Sequence, residues 1–214
     1  MVKVRITAKL VLTSATDALL TLYDLLQLDG YEVKLSPEAL CLEASRNDVR
    51  VLFFASKSSY NASLTLVLSN TELSRGCGSV SEFMKSLIAK VKPLQLELLT
   101  YVVSYESVIP CIKDLLVIID KYLRELGAAP VSSPQTYLGH GGIKYEVISL
   151  RYGIVSKGLR STDILVTYTV TASKCELKIS VGGVTKDLLG LSKYLCDAIG
   201  ITEVIIDYLK TLLK

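Results

Sequence analysis

Residues 2–10 alternate in character. Val2, Val4, Ile6, Ala8 and Leu10 fall on one side of an extended chain, and Lys3, Arg5, Thr7 and Lys9 on the other. This period of two is the signature of a half-buried strand. The period then lengthens. Leu19, Leu22, Tyr23 and Leu26 recur at helical spacing over 16–28. Ser14 or Thr16 can cap that helix, Asp17 sits in its first turn and Gly30 stops it. Strands are predicted over 31–35, 39–44, 49–55 and 62–69. Ser36-Pro37-Glu38 separates the first two. Arg46-Asn47-Asp48 forms a tight turn between the next two, because Asn and Asp tolerate turn geometry. Gly76-Cys77-Gly78 opens a helix over 79–91. There Ser79 and Glu82 read as a capping box, and Pro93 ends the run.

The same order then recurs. A strand over 94–105 leads into a helix over 107–126, with Pro110 in its first turn and Gly127 at its end. A linker rich in Pro, Ser and Gly follows over 128–142. Strands are predicted over 143–152, 164–171 and 175–181. Gly182-Gly183 leads to a helix over 185–199, which Gly200 breaks or kinks, and an amphipathic helix continues over 201–213. Gly182-Gly183-Val184-Thr185 echoes Gly78-Ser79-Val80-Ser81 at the matching place. The expected fold class is therefore α+β, with two tandem β-α-β(3-4)-α repeats. The first spans 1–92 and the second 93–214, the second carrying a C-terminal helical extension.

Composition narrows the function classes. No stretch of 18 or more residues is free of charge, and the apolar run Leu115 to Ile119 is flanked by Asp114 and Asp120. No membrane span is expected. The N-terminus has no uninterrupted apolar core of a signal peptide, so a cytoplasmic location is expected. Cysteines 41, 77, 111, 175 and 196 are odd in number and form no Cys-x-x-Cys; they read as small apolar core residues. With one histidine in the chain, no zinc set is expected. Gly139-His140-Gly141-Gly142 lacks the following Lys-Ser/Thr of a phosphate loop, and no nucleophile signature accompanies His140. Neither a cofactor, nor a metal, nor an enzymatic activity is expected. The net charge of +3 permits nucleic-acid binding without announcing it.

The double order resembles the TATA-box-binding protein family. Asp48-Val49-Arg50-Val51-Leu52-Phe53-Phe54-Ala55-Ser56-Lys57 resembles the PxVxLLxFxSGK segment of the family's first repeat. Val170 to Ile179 resembles the same segment in the second. His140-Gly141-Gly142-Ile143-Lys144-Tyr145-Glu146-Val147 resembles its FPGLxYRL motif. The resemblance implies one curved antiparallel sheet with helices on the convex face and duplex DNA on the concave face, and a role in transcription. It implies that Arg5, Lys9 and Arg50 neutralise phosphates and that Phe54 wedges between bases. Thr65 and Thr169 would touch the groove, and Lys3, Thr7, His140, Lys144 and Lys178 would complete the interface. Ser36 and His140 stand where the family has wedge phenylalanines, and Arg5 and Glu97 or Leu98 where it has asparagines. The rival expectation is an assembly protein that keeps the fold, has lost DNA binding, and meets a protein partner or a second copy through its concave face or its last helix.

Overall fold

The computed structural model describes residues 2–58, 60–69, 76–112, 114–131, 135–138, 146–156, 160–171 and 174–213; for 135–138, 146–156, 160 and 161 it describes the backbone only. It is an α+β structure built on antiparallel strand pairing. The chain forms two compact units. One comprises Lys3–Val102 and Val184–Ile199, the other Val103–Gly183, Gly200–Lys214 and Met1–Val2.

The first unit contains β1 (Val2–Val11), α1 (Ala15–Leu28), β2 (Glu32–Ser36), β3 (Cys41–Arg46), β4 (Val49–Ala55), β5 (Asn61–Ser69), α2 (Cys77–Val91) and the first part of β6 (Gln95–Ile109). Its strands lie in the order β2-β3-β4-β5-β1-β6. Register aligns the apolar positions into rungs. Ile6 stands opposite Leu66, Leu66 opposite Val51, and Val51 opposite Ala44, all fully buried. A slip of one residue would turn this whole set to solvent, so burial of one face holds the register. Leu19, Leu22 and Leu26 come from the buried stripe of α1, which packs against α2, β2 and β3. Phe53 is fully buried in this core. Its truncation to Ala costs about 3–5 kcal/mol on the usual scale for core aromatics.

The ends of α1 follow local chemistry. Ser14 Oγ accepts from Asp17 N–H at 3.2 Å, satisfying one of the orphan donors of the first turn. Gly30 takes φ +76° just beyond the C-terminus, a conformation glycine adopts without penalty. Arg46 Nη1 donates to the Asp29 carbonyl at 2.5 Å. The N-terminus of α2 differs from the capping-box expectation. The helix starts at Cys77 with Gly76 as its cap, so Ser79 already lies in the first turn. Glu82 instead pairs with Lys85 at 2.7 Å.

The second unit contains the rest of β6, α3 (Leu115–Glu125), β7 (Ala129–Pro130), β8 (Gln135–Leu138), β9 (Glu146–Ser156), β10 (Arg160–Val170), β11 (Cys175–Thr185) and the later part of α4 (Leu191–Leu212). Its order is β6-β11-β10-β9-β7, with β8 also on β9. Three boundaries depart from expectation. The strand β6 runs to Ile109, and the helix predicted from 107 begins at Leu115. Pro110 ends the strand rather than opening a helix, since it has no N–H to continue a ladder. The linker over 128–142 contains β7 and β8. Gly182 and Gly183 lie inside β11, with Gly182 paired to Asp163, and α4 runs through Gly200 without a break. A helical glycine costs only about 1 kcal/mol, less than the burial of Leu195, Ala198, Ile205 and Leu209 along the same helix contributes.

The cysteines also depart from expectation. Cys77 is bonded to Cys196 within the first unit and Cys111 to Cys175 within the second, each pair with Cα atoms 5.3 Å apart. Cys41 is free and half-buried. Among the described residues no helix is long and apolar enough to cross a membrane.

Candidate functional site

The faces of the strands opposite the core carry most of the predicted site residues. In the first unit Thr7 stands opposite Thr65, and Thr65 opposite Leu52. The two threonine hydroxyls bond each other at 3.1 Å. Arg5 is opposite Val67 and Arg50 is opposite Val67 from the other side. Arg50 Nε lies 3.4 Å from Glu43 Oε1. Lys3 is opposite Ser69, and Lys9 opposite Ser63, whose other neighbour is Phe54. Phe54 is 57% exposed. A shallow cavity of about 290 Å³ opens beside it, lined among others by Lys9, Ser56, Asn61, Ser63 and Glu97.

The second unit holds the larger cavity, about 460 Å³. Three strands build it. The end of β6 gives Glu106 and Val108, β10 gives Thr167 and Thr169, and β11 gives Glu176 and Lys178. Alternation puts them on one face, because Val103, Val166, Tyr168, Leu177 and Ile179 point the other way into the core. Register then sets the neighbours: Thr167 is opposite Lys178 and Thr169 opposite Glu176. Lys178 Nζ reaches across to Glu106 Oε1 at 2.6 Å, and Lys174 Nζ pairs with Glu176 Oε1 at 2.5 Å. The charges of this wall are thus balanced pair by pair. Its groups can donate from ammonium and hydroxyl and accept at carboxylate and hydroxyl.

The structure therefore brings Thr169 and Lys178 together at one cavity, and Lys9 and Phe54 at the other. His140 and Lys144 lie outside the described residues. The interface residues expected from the sequence do not include Glu106, Glu176, Thr167, Asn61 and Glu97. Glu106 was hidden by the helix predicted from 107; the continued alternation of β6 past Tyr105 is the signal that finds it.

No protein-family model and no curated protein sequence matches the chain. Among solved structures, the chain is similar to the di-domain ARO/CYC protein BexL from the BE-7585A biosynthetic pathway, at 11% identity and TM-score 0.30, over 98% of this chain and 95% of that one. It is also similar to the di-domain ARO/CYC protein StfQ from the steffimycin biosynthetic pathway, at 12% identity and TM-score 0.30, over 98% and 97%. Both come from biosynthetic pathways, not from transcription. This finding overturns the expected membership of the TATA-box-binding family, the role as a DNA-binding transcription factor and the duplex-DNA partner. It equally corrects the non-enzymatic assignment, and it gives no support to the rival assembly role. The likeness is slight, and no residue role or substrate is carried across from it.

The side chains give a physical reason for the correction. A phosphate track needs cations in sequence along a face. Here Arg50 is held by Glu43 and Lys178 by Glu106, and the hydroxyls of Thr7 and Thr65 are turned toward each other.

Proposed function

We propose that this chain binds a small, neutral, oxygen-rich organic molecule in the cavity formed by β6, β10 and β11. The observation that carries the reading is the charge-balanced wall of that cavity, with Lys178 on Glu106 and Lys174 on Glu176. A net charge on the ligand would meet an equal number of like and opposite groups, so hydrogen bonding sets the recognition. Ligand hydroxyls donate to Glu106 and Glu176. Ligand oxygens accept from Lys178, Thr167 and Thr169. The volume suits a molecule of one or two rings. Half-exposed ion pairs such as Lys178–Glu106 contribute little to stability, so exchanging part of one for ligand contacts costs little.

The test is a titration of the protein with 1,3,5-trihydroxybenzene followed by amide chemical-shift changes. Shifts are expected at Thr167, Thr169 and Lys178. Lys178→Ala weakens binding by roughly tenfold or more, because a hydrogen bond to a charged group is worth about 1.5–3 kcal/mol. Shifts confined to other parts of the chain, or equal binding by Lys178→Ala, sink the reading.

The paired cysteines favour maturation in an oxidising compartment, or in the cytosol of a hyperthermophile, over an ordinary reducing cytosol. The recurrence of strand, helix, strands and helix along the chain supports descent from one duplicated unit.

A further inference from the structure

The wall of the larger cavity is held unevenly. Thr167, Thr169, Glu176 and Lys178 sit on the β10–β11 hairpin, whose register runs to Val170 opposite Cys175. Its turn is closed by Thr171 N–H donating to the Lys174 carbonyl at 2.9 Å and by Lys174 N–H donating to Thr171 Oγ1 at 3.1 Å. Cys175, Leu177 and Ile179 anchor β11 in the core. Glu106, Ser107 and Val108 come instead from the far end of β6, where the anchoring thins out. Earlier in that strand Leu99, Tyr101 and Val103 are buried. From Ser104 to Val108 no residue is buried, and only Ile109 follows in the core. The Lys178–Glu106 pair crosses to this end, but it is half-exposed and contributes little to holding it. A strand end with so few buried apolar contacts opens at low cost. The Cys111–Cys175 bond lies just beyond it. It ties the exposed Cys111 to a fully buried residue at the start of the neighbouring strand.

We propose that the Cys111–Cys175 bond is a redox switch on the larger cavity: intact, it holds the Glu106–Val108 wall against β11, and its reduction by a dithiol releases that wall and weakens ligand binding. The inference rests on the assignment of this cavity as the ligand site. The exposure of Cys111 gives a reductant access. One thiolate of the dithiol attacks Cys111 Sγ, the bond to Cys175 breaks, and Cys175 leaves as a thiolate and is protonated. The second thiol then displaces Cys111 from the mixed disulfide. The reductant ends as a disulfide and the protein has gained two electrons and two protons. The β10–β11 hairpin keeps its own hydrogen bonds throughout, so Thr167, Thr169, Glu176 and Lys178 stay in place. The ligand loses Glu106 and the apolar side of Val108 whenever the end of β6 opens. Its apparent affinity falls in proportion to the fraction of chains with the wall closed. The other bond, Cys77–Cys196, joins α2 to α4 in the first unit and touches no strand of this wall.

The test compares oxidised chain with chain reduced by dithiothreitol, at a temperature where circular dichroism shows both folded. Two quantities are read: the Kd for 1,3,5-trihydroxybenzene, and amide hydrogen exchange at Tyr105–Val108 without ligand. Reduction is expected to raise Kd by at least about fivefold and to speed exchange at Tyr105–Val108 by at least about tenfold. Exchange at Leu177 and Ile179 should change much less, and reoxidation should restore both values. Cys77→Ser with Cys196→Ala keeps the full redox response, because only the other bond is missing. Cys111→Ser with Cys175→Ala binds weakly under both conditions and no longer responds to the dithiol. An unchanged Kd on reduction overturns the proposal, as does a response that follows Cys77–Cys196 or persists without Cys111–Cys175. If the oxidised chain does not bind the probe at all, the assigned ligand class fails. The exchange measurement then still decides the bond's role: unchanged exchange at Tyr105–Val108 refutes it as the hold on this wall.

Discussion

Removing the Cys111–Cys175 bond should cost the second unit a large share of its stability. The two residues are 64 apart in sequence. A cross-link of that span removes loop-closure entropy from the unfolded chain, worth about 4 kcal/mol in the chain-entropy relation. Domains of this size are stable by only about 5–15 kcal/mol. The bond also ties two particular places together. Cys111 lies just past the end of β6, and Cys175 is the first residue of β11. These are the strands that carry Glu106 and Lys178 to the larger cavity. The perturbation is Cys111→Ser with Cys175→Ala, leaving Cys77–Cys196 intact. With a denaturant slope of about 2–3 kcal/mol per molar urea, the unfolding midpoint falls by roughly 1.5–2 M. Reduction of the wild-type chain with a dithiol should lower it at least as far, because both bonds open. Cys41→Ser, at the free thiol, should leave the midpoint within about 0.3 M, the scale of an ordinary surface change. If the double variant shifts no more than Cys41→Ser, the bond does not constrain the unfolded chain. A non-reducing peptide map that shows Cys111 paired elsewhere refutes the connectivity itself.

Two further perturbations read other parts of the fold. A Cβ on Gly190 would run into Asp187 Oδ2 and Tyr194 Oη. Asp187 accepts from Gly190 N–H and Tyr194 Oη, both at 2.9 Å, at the start of α4. Gly190→Ala is expected to lower stability by about 1–3 kcal/mol through these lost bonds, and an unchanged thermal melt refutes the close approach. Tyr31 lies against Phe83, rings nearly parallel with centroids 6.2 Å apart. Burial raises its pKa above the ordinary 10.0, with the Asp29 charge adding to the rise and Arg46 opposing it. The raised folded value means that the unfolded chain loses this proton first. Its contribution is complete below pH 10 and is lost as pH rises through the folded pKa. Tyr31→Phe should therefore flatten the alkaline limb of the stability curve, and identical limbs in the two proteins contradict the shift.

Much of the sheet was legible because burying one face imposes alternation. The patterns of β1, β4 and β5 give strands whose observed ends lie within a residue or so of the expected ones. The ends of α1 were legible for another reason, since Ser14 and Gly30 act through local backbone chemistry that needs no partner elsewhere. Pro110 and Gly200 were misread because each has two local meanings. Proline opens a helix or closes a strand, and glycine breaks a helix or is carried by it. Tertiary packing decides between them: β6 is held in its ladder up to Ile109, and α4 is anchored by buried residues on both sides of Gly200. The disulfides were invisible for a similar reason. Separations of 119 and 64 residues place no cysteine near its partner in sequence.

The same limit explains how a basic strand face suggested a phosphate track. Lys3, Arg5 and Lys9 share one side of β1, and that much is local. What stands beside them is set by register. Arg50 on β4 is matched by Glu43 on β3, and Glu97 on β6 contributes to the wall that includes Lys9. Acidic groups therefore interrupt the positive face at the spacing of the strands, and a continuous run of phosphates would meet Glu43 and Glu97 as well as the cations. Ligand class follows from this local balance rather than from the net charge of +3. Where Lys178 and Lys174 are each matched by a glutamate, an added charge gains nothing and a neutral hydrogen-bonding molecule fits.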